Sequence, residues 1–111
     1  IALTPTLATV EIYDPASDTW RDGPDSPTPH GGAAATVLDG VAYLGGGEER
    51  DQALRTFEAL DLASGEWRTL APIPTPRHGH AMAALAGRVL VIGGANRPVF
   101  AAVPTVEAYA P

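Results

Sequence analysis

Three groups of residues in this 111-residue chain have the types and spacing that chemistry uses. Arg77-His78-Gly79-His80 sets two imidazoles two residues apart, which on a strand would share one face as metal ligands do. His30 is the one further histidine, standing where the preceding repeat has its counterpart of Arg77, and no carboxylate lies at regular ligand spacing, so no metal is expected. Gly45-Gly46-Gly47 has the composition of a phosphate cradle, but no G-K-[ST] follows it and no helix start is evident. Glu11, Glu58 and Glu107 are carboxylates among apolar neighbours, and they recur at one site of a repeat. A catalytic group is needed once, whereas a residue repeated in every unit serves every unit. The glutamates are therefore read as structural, bonding backbone or Arg donors where a buried carboxylate would otherwise be costly. With no Cys and no Ser in a G-x-S-x-G elbow, thiolate, disulfide and nucleophile-elbow chemistry are excluded from this segment. No catalytic residue and no cofactor are assigned.

The elements that would position these residues follow from composition. The chain is 45% hydrophobic and 18% charged, the balance of a globular domain, and its 11 prolines and 12 glycines suit short strands joined by defined turns. An all-β fold is expected. The net charge is −6, and the seven basic residues are all Arg, spread singly from Arg21 to Arg97, so the basic stripe of a nucleic-acid binder is missing. No apolar run approaches the ~18 residues of a membrane span. No basic region precedes an apolar stretch at the start, so no signal peptide is visible in the segment, and the compartment is left open. A first residue Ile1 rather than Met points to a chain processed or excised from something longer.

Self-similarity is the main signal. Thr9-Val10-Glu11-Ile12-Tyr13-Asp14 aligns with Thr56-Phe57-Glu58-Ala59-Leu60-Asp61 at an offset of 47. The same offset carries Trp20-Arg21 onto Trp67-Arg68, Pro27-Thr28-Pro29-His30 onto Pro74-Thr75-Pro76-Arg77, and Gly46-Gly47 onto Gly93-Gly94. A third copy opens at Thr105-Val106-Glu107-Ala108-Tyr109. Asp39-Gly40 lies between two apolar runs as a tight hairpin turn, because Gly accepts positive φ. Asp14 to Asp18 and Asp61 to Gly65 read as turns, and the segments 24–29 and 72–76 are too rich in Pro to lie inside a sheet. Strands are expected at 9–14, 19–23, 32–38, 41–46, 55–61, 66–70, 79–85, 88–93 and 105–109.

A double glycine closing an apolar strand, then V-E-x-Y-D-P, then Trp, then a Pro-rich segment resembles the kelch repeat of β-propellers. The resemblance implies four-stranded antiparallel blades, with strand a innermost and strand d outermost, and the chain spans about two blades plus an extra strand. Residues 1–23 would be strands c and d of one blade, 24–71 a complete repeat, and 72–111 strands a, b and c of a further repeat. Gly46, Gly47, Gly93 and Gly94 are then backbone geometry, and Tyr13, Tyr109, Trp20 and Trp67 blade packing. A WD40 blade fits less well, since Trp20 and Trp67 are each followed by Arg, and an Asp-box is matched only in part by Ser17-Asp18-Thr19-Trp20.

The resemblance also implies that the b–c loops and d–a connections, which emerge together because successive strands reverse direction, hold a partner. The b–c loops run over 48–55 and 95–104 and carry the only length difference between the repeats. Candidate contact residues are Glu48, Glu49, Arg50 and Asp51 in the first, Asn96, Arg97 and Phe100 in the second, and Arg77 and His78 on the connection. The expected function is a non-catalytic scaffold binding a protein, peptide or glycan. The alternative is a fragment of a propeller enzyme, like galactose oxidases or sialic-acid isomerases, with its catalytic residues elsewhere. Two blades cannot close a ring, so further blades are expected from a longer chain or from copies of this one, three copies giving six blades. A strand c at both ends favours the longer chain.

Overall fold

The computed structural model of the chain describes residues 5–97 and 101–111, and among these there is no helix. Eleven strands follow in order: β1 Glu11–Asp14, β2 Thr19–Asp22, β3 Ala34–Leu38, β4 Val41–Gly45, β5 Glu48–Glu49, β6 Gln52–Ala53, β7 Phe57–Asp61, β8 Trp67–Thr69, β9 Ala81–Leu85, β10 Arg88–Ile92 and β11 Val106–Tyr109. All pairing between them is antiparallel. A central sheet has the order β3-β4-β7-β8, flanked in sequence by β1-β2 and by β9-β10-β11, with β5-β6 a separate hairpin. Each of the nine expected strands is present, up to two residues shorter at an end. The β5-β6 hairpin lies inside what the sequence presents as an irregular loop. Its turn residues Arg50-Asp51 lack the Gly or Asn that marks a two-residue turn, and Arg50 takes a φ of 55° all the same.

The turns set the register. Asp39-Gly40 (φ 50° and 76°) and Ala86-Gly87 (φ 51° and 72°) have positive φ at both central residues, the twist that matches a right-handed hairpin. They lock Leu38 opposite Val41 and Leu85 opposite Arg88. Between β1 and β2 the Asp14 carboxylate accepts from the Ala16 amide at 2.9 Å, and between β7 and β8 Asp61 accepts from the Ala63 and Ser64 amides at 2.9 Å. These donors favour the charged form. The Ala16 amide chiefly holds the Asp14 carboxyl, and the Ser64 amide the Asp61 carboxyl, below the ordinary carboxylate range.

The apolar core lies between the central sheet and the β9-β10-β11 sheet. Tyr43, Phe57, Ala59, Ile73, Val89 and Val91 are buried together, with Leu38, Val41, Leu70, Met82 and Tyr109 packed against them. Phe57 meets Tyr109 edge-on at 4.9 Å between ring centroids, an arrangement the aromatic quadrupole favours. In β7 the successive residues Phe57, Glu58, Ala59 and Leu60 are all buried, so both faces of this strand are covered and period-two alternation disappears. The innermost strands β3 and β9 touch each other across the two sheets, which their small residues allow. Trp67 is half-buried and donates its indole N–H to the Pro24 carbonyl at 2.9 Å, tying the outer strand of one blade to the connector before it. Trp20 is 68% exposed, and its ring lies tilted against Tyr13, with centroids 5.2 Å apart.

Candidate functional site

At one edge of the sheets the b–c loops and d–a connectors interlock through their backbones. Gly31 exchanges hydrogen bonds with Glu48, at 3.2 and 2.7 Å, and Gly47 donates to the Arg77 carbonyl at 2.8 Å. Gly79 donates to the Gly32 carbonyl at 2.9 Å, and His78 exchanges bonds with Ala95, at 2.9 and 3.0 Å. The result is a rim whose main chain is fixed from both sides. Side chains project from it. Arg50, Asp51, Asn96 and Arg97 are exposed, while Glu48, Glu49 and His78 are half-buried. His78 Nε2–H donates to the Arg97 carbonyl at 2.6 Å, and its Nδ1 lies 3.8 Å from Glu48 Oε2. The structure thus gathers Glu48, His78 and Arg97 from three separate segments. Phe100 lies outside the described residues.

Arg77 is not available to a partner, which corrects its assignment as a contact residue: it is 0% exposed. Its Nη1 donates to the carbonyls of Gly93 and Thr105, at 2.8 and 3.0 Å, and its Nη2 donates to Thr105 Oγ1 at 3.0 Å and lies 3.1 Å from Glu107 Oε2. Thr75 also donates to Glu107 through its hydroxyl and amide. A guanidinium carries five donors in a fixed fork, and the socket presents acceptors that match it. In the preceding repeat His30 enters the corresponding socket. Its Nδ1 lies 2.8 Å from the Gly46 carbonyl and its Nε2 3.1 Å from Glu58 Oε2. Glu11, by contrast, is exposed.

The threonines 75 and 105 are functional partners that motif reasoning passes over. Their signal was the repeat, since Thr28 and Thr75, and Thr56 and Thr105, fall within recurring blocks. The two imidazoles after Arg77 do not share a face. Gly79 has a φ of 59°, which breaks strand alternation before β9 begins, so His78 turns to the rim and His80 inward. Among the described residues no three His, Asp or Glu side chains are grouped as metal ligands.

The His80 ring lies against Gly46, and both its nitrogens are buried without a hydrogen-bond partner. Burial, reinforced by the Arg77 charge, pushes its pKa below the ordinary imidazole value, with the Gly45 carbonyl offsetting part of the shift. A depressed folded-state pKa means that the folded form prefers the neutral ring. Its contribution is present above the unfolded value, about 6.5, and is lost as the pH falls below it. Thermal unfolding should therefore show a declining Tm below about pH 6.5. His80→Ala, which installs the residue of the equivalent position Ala33, should flatten that limb, and an unchanged acid limb would refute the assignment.

A four-stranded antiparallel blade, its neighbouring three-stranded sheet stacked on it, inner strands of small residues and a loop rim at one edge together define a segment of β-propeller. The family model of the Kelch motif matches residues 4–27 and 29–74, and the chain belongs to the kelch-repeat family. Comparison with curated proteins gives no match.

Proposed function

We propose that the chain is a non-catalytic binding module whose b–c loops and d–a connectors hold a protein or peptide at one face. The observation that carries this reading is the rim: its main chain is bridged from Gly31 through Glu48 and from His78 through Ala95, while Arg50, Asp51, Asn96 and Arg97 remain exposed. A surface already ordered gives up little conformational freedom on binding, and a mixed set of charges discriminates among partners by complementarity. Kelch repeats generally serve in protein interactions, in keeping with this use of the loops.

The test is a selection from a displayed random-peptide library, followed by affinity measurement on wild type and on the triple variant R50A/D51A/R97A. The expected result is a loss of at least ~10-fold in affinity with Tm unchanged, since exposed loop residues add little to stability. Selected peptides that bind both proteins equally would sink the reading.

The exposed Leu85 and Val106 are read as surfaces for neighbouring blades, from further repeats or from other copies of the chain, a choice that light scattering of the 111-residue chain decides.

A further inference from the structure

The central repeat shows what covers the outer side of a strand c. Trp67 on β8 stands opposite Leu60 of β7 and donates its indole N–H to the Pro24 carbonyl of the preceding connector, at 2.9 Å. One repeat further on, Leu60 corresponds to Tyr109 of β11 and Pro24 to Ala71. These two residues line a groove of about 180 Å³, together with Pro72, Ile73 and Pro74 of the connector and with Phe57 and Val91. Phe57, Ile73 and Val91 also belong to the core between the two blades, so the groove continues an interface the fold already uses. An apolar cavity of about 150 Å³ takes up benzene, and a groove of this size therefore admits an aromatic ring. Among the described residues β11 pairs only with β10, so its other edge presents backbone donors and acceptors to a further strand.

The chain itself carries a strand that fits. β2 already pairs with a Val-Glu-x-Tyr strand, with Tyr13 opposite Trp20, Ile12 opposite Arg21 and Glu11 opposite Asp22. β11 reads Val106-Glu107-Ala108-Tyr109, so the same register sets Tyr109 opposite Trp20, Ala108 opposite Arg21 and Glu107 opposite Asp22. It is the register of the central blade too, where Leu60 faces Trp67 and Ala59 faces Arg68. On β1, by contrast, β2 is little buried: the sheet has two strands, all four β2 residues are exposed, and Trp20 is 68% exposed. A lone pair of strands is marginal in water, whereas a fourth strand beside β11 lies on a packed sheet.

We infer that the groove between the Ala71 to Pro74 connector and β11 is a tryptophan seat filled by β2 of a second copy of the chain. In the exchange β2 leaves β1, keeps a tyrosine opposite Trp20, buries the indole in the groove and donates its N–H to the Ala71 carbonyl, as Trp67 does to Pro24. Successive blades lie side by side, the β1-β2 unit before the central blade and the β9-β10-β11 unit after it, so the β2 that reaches β11 comes from another molecule. Each copy gives one strand and receives one, a head-to-tail contact.

The chain has no cysteine, which makes cross-linking specific. Directly opposed residues of an antiparallel pair have Cβ atoms close enough for a disulfide. The single variants R21C and A108C, mixed in equal amounts under oxidised glutathione, should give a mixed disulfide in excess over the two homodimers together. Adding W20A to R21C should return the mixed species to the statistical half; Trp20 is exposed in the single chain, so this variant keeps its fold. Light scattering should show the mass of the wild type at least doubling with concentration and that of W20A staying at one chain. A mixed disulfide at the statistical half with Trp20 present, or an excess that survives W20A, overturns the exchange. So does a chain that stays single at every concentration while a free peptide of residues 17–23 binds it, which would assign the groove to strands of other origin. The groove includes none of Arg50, Asp51, Asn96 and Arg97, so this inference and the proposed binding rim fail separately.

Discussion

Replacing Arg77 by Ala is expected to destabilise the chain by about 3–5 kcal/mol, the range for breaking a buried ion pair by removing one partner. The Gly93 and Thr105 carbonyls, the Thr105 hydroxyl oxygen and the Glu107 carboxylate each lose a donor at once, and of these the Thr105 carbonyl keeps only the Gly93 amide, at 3.2 Å. Glu107 keeps Thr75, which supplies hydrogen bonds but no charge. Domains of this size are stable by about 5–15 kcal/mol, so the loss takes a large part of the total. Arg77→Lys separates charge from geometry. It retains the cation but not the fork that reaches Gly93, Thr105 and Glu107 together, and should fall between wild type and Ala. Urea titrations with a common m-value measure both. An Ala variant within about 1 kcal/mol of wild type would mean that the socket closes up or admits water, and that the buried guanidinium matters little to stability.

Much of the strand layout was legible because the repeat presents each element more than once and each turn has its own chemistry. Asp39-Gly40 marks a hairpin by residue type, and its counterpart Ala86-Gly87, with an Ala at positive φ, is recognised through the offset rather than through propensity. The sockets were less legible. A repeat aligns His30 with Arg77 but does not say that both side chains turn inward, and a lone Arg in a Pro-rich connector is by default a solvent-facing charge. The recurrence of Glu11, Glu58 and Glu107 marks a shared structural position, yet their partners stand 28 and 30 residues away, beyond any local pattern. Glu11 shows the converse, since it shares the repeat position and is exposed. Sequence identity within a repeat fixes the backbone role, whereas burial depends on which neighbour lies across it. The β5-β6 hairpin escaped for a related reason: its turn residues carry no turn signature of their own, and besides its own pairing it is anchored by the bonds of Glu48 to Gly31 and of Gly47 to Arg77.

The same dependence on neighbours predicts that two glycines equivalent by repeat will respond very differently to an added methyl group. Gly46 and Gly93 both have a φ of 65°, a conformation in which any L side chain costs about 1–2 kcal/mol. A Cβ on Gly93 would meet only the Val103 carbonyl oxygen, at 3.7 Å, an ordinary contact. On Gly46 it would lie 2.5 Å from the Arg77 carbonyl oxygen and 2.6 Å from His80 Cε1. The first of these is backbone, held by the bond from Gly47, and cannot move without loosening the connector that carries Arg77 into its socket. Gly46→Ala should therefore add an overpacking cost of about 1–3 kcal/mol to the backbone term, for a total of about 3 kcal/mol or more. Gly93→Ala should stay near the backbone term alone. Chemical denaturation of the two variants decides it. Equal losses would show that positive φ alone accounts for the double glycine. A larger loss at Gly46 would assign it a second role, as the surface on which the His80 ring and the Arg77 backbone of the following repeat close against the central blade, next to the carbonyl that receives His30.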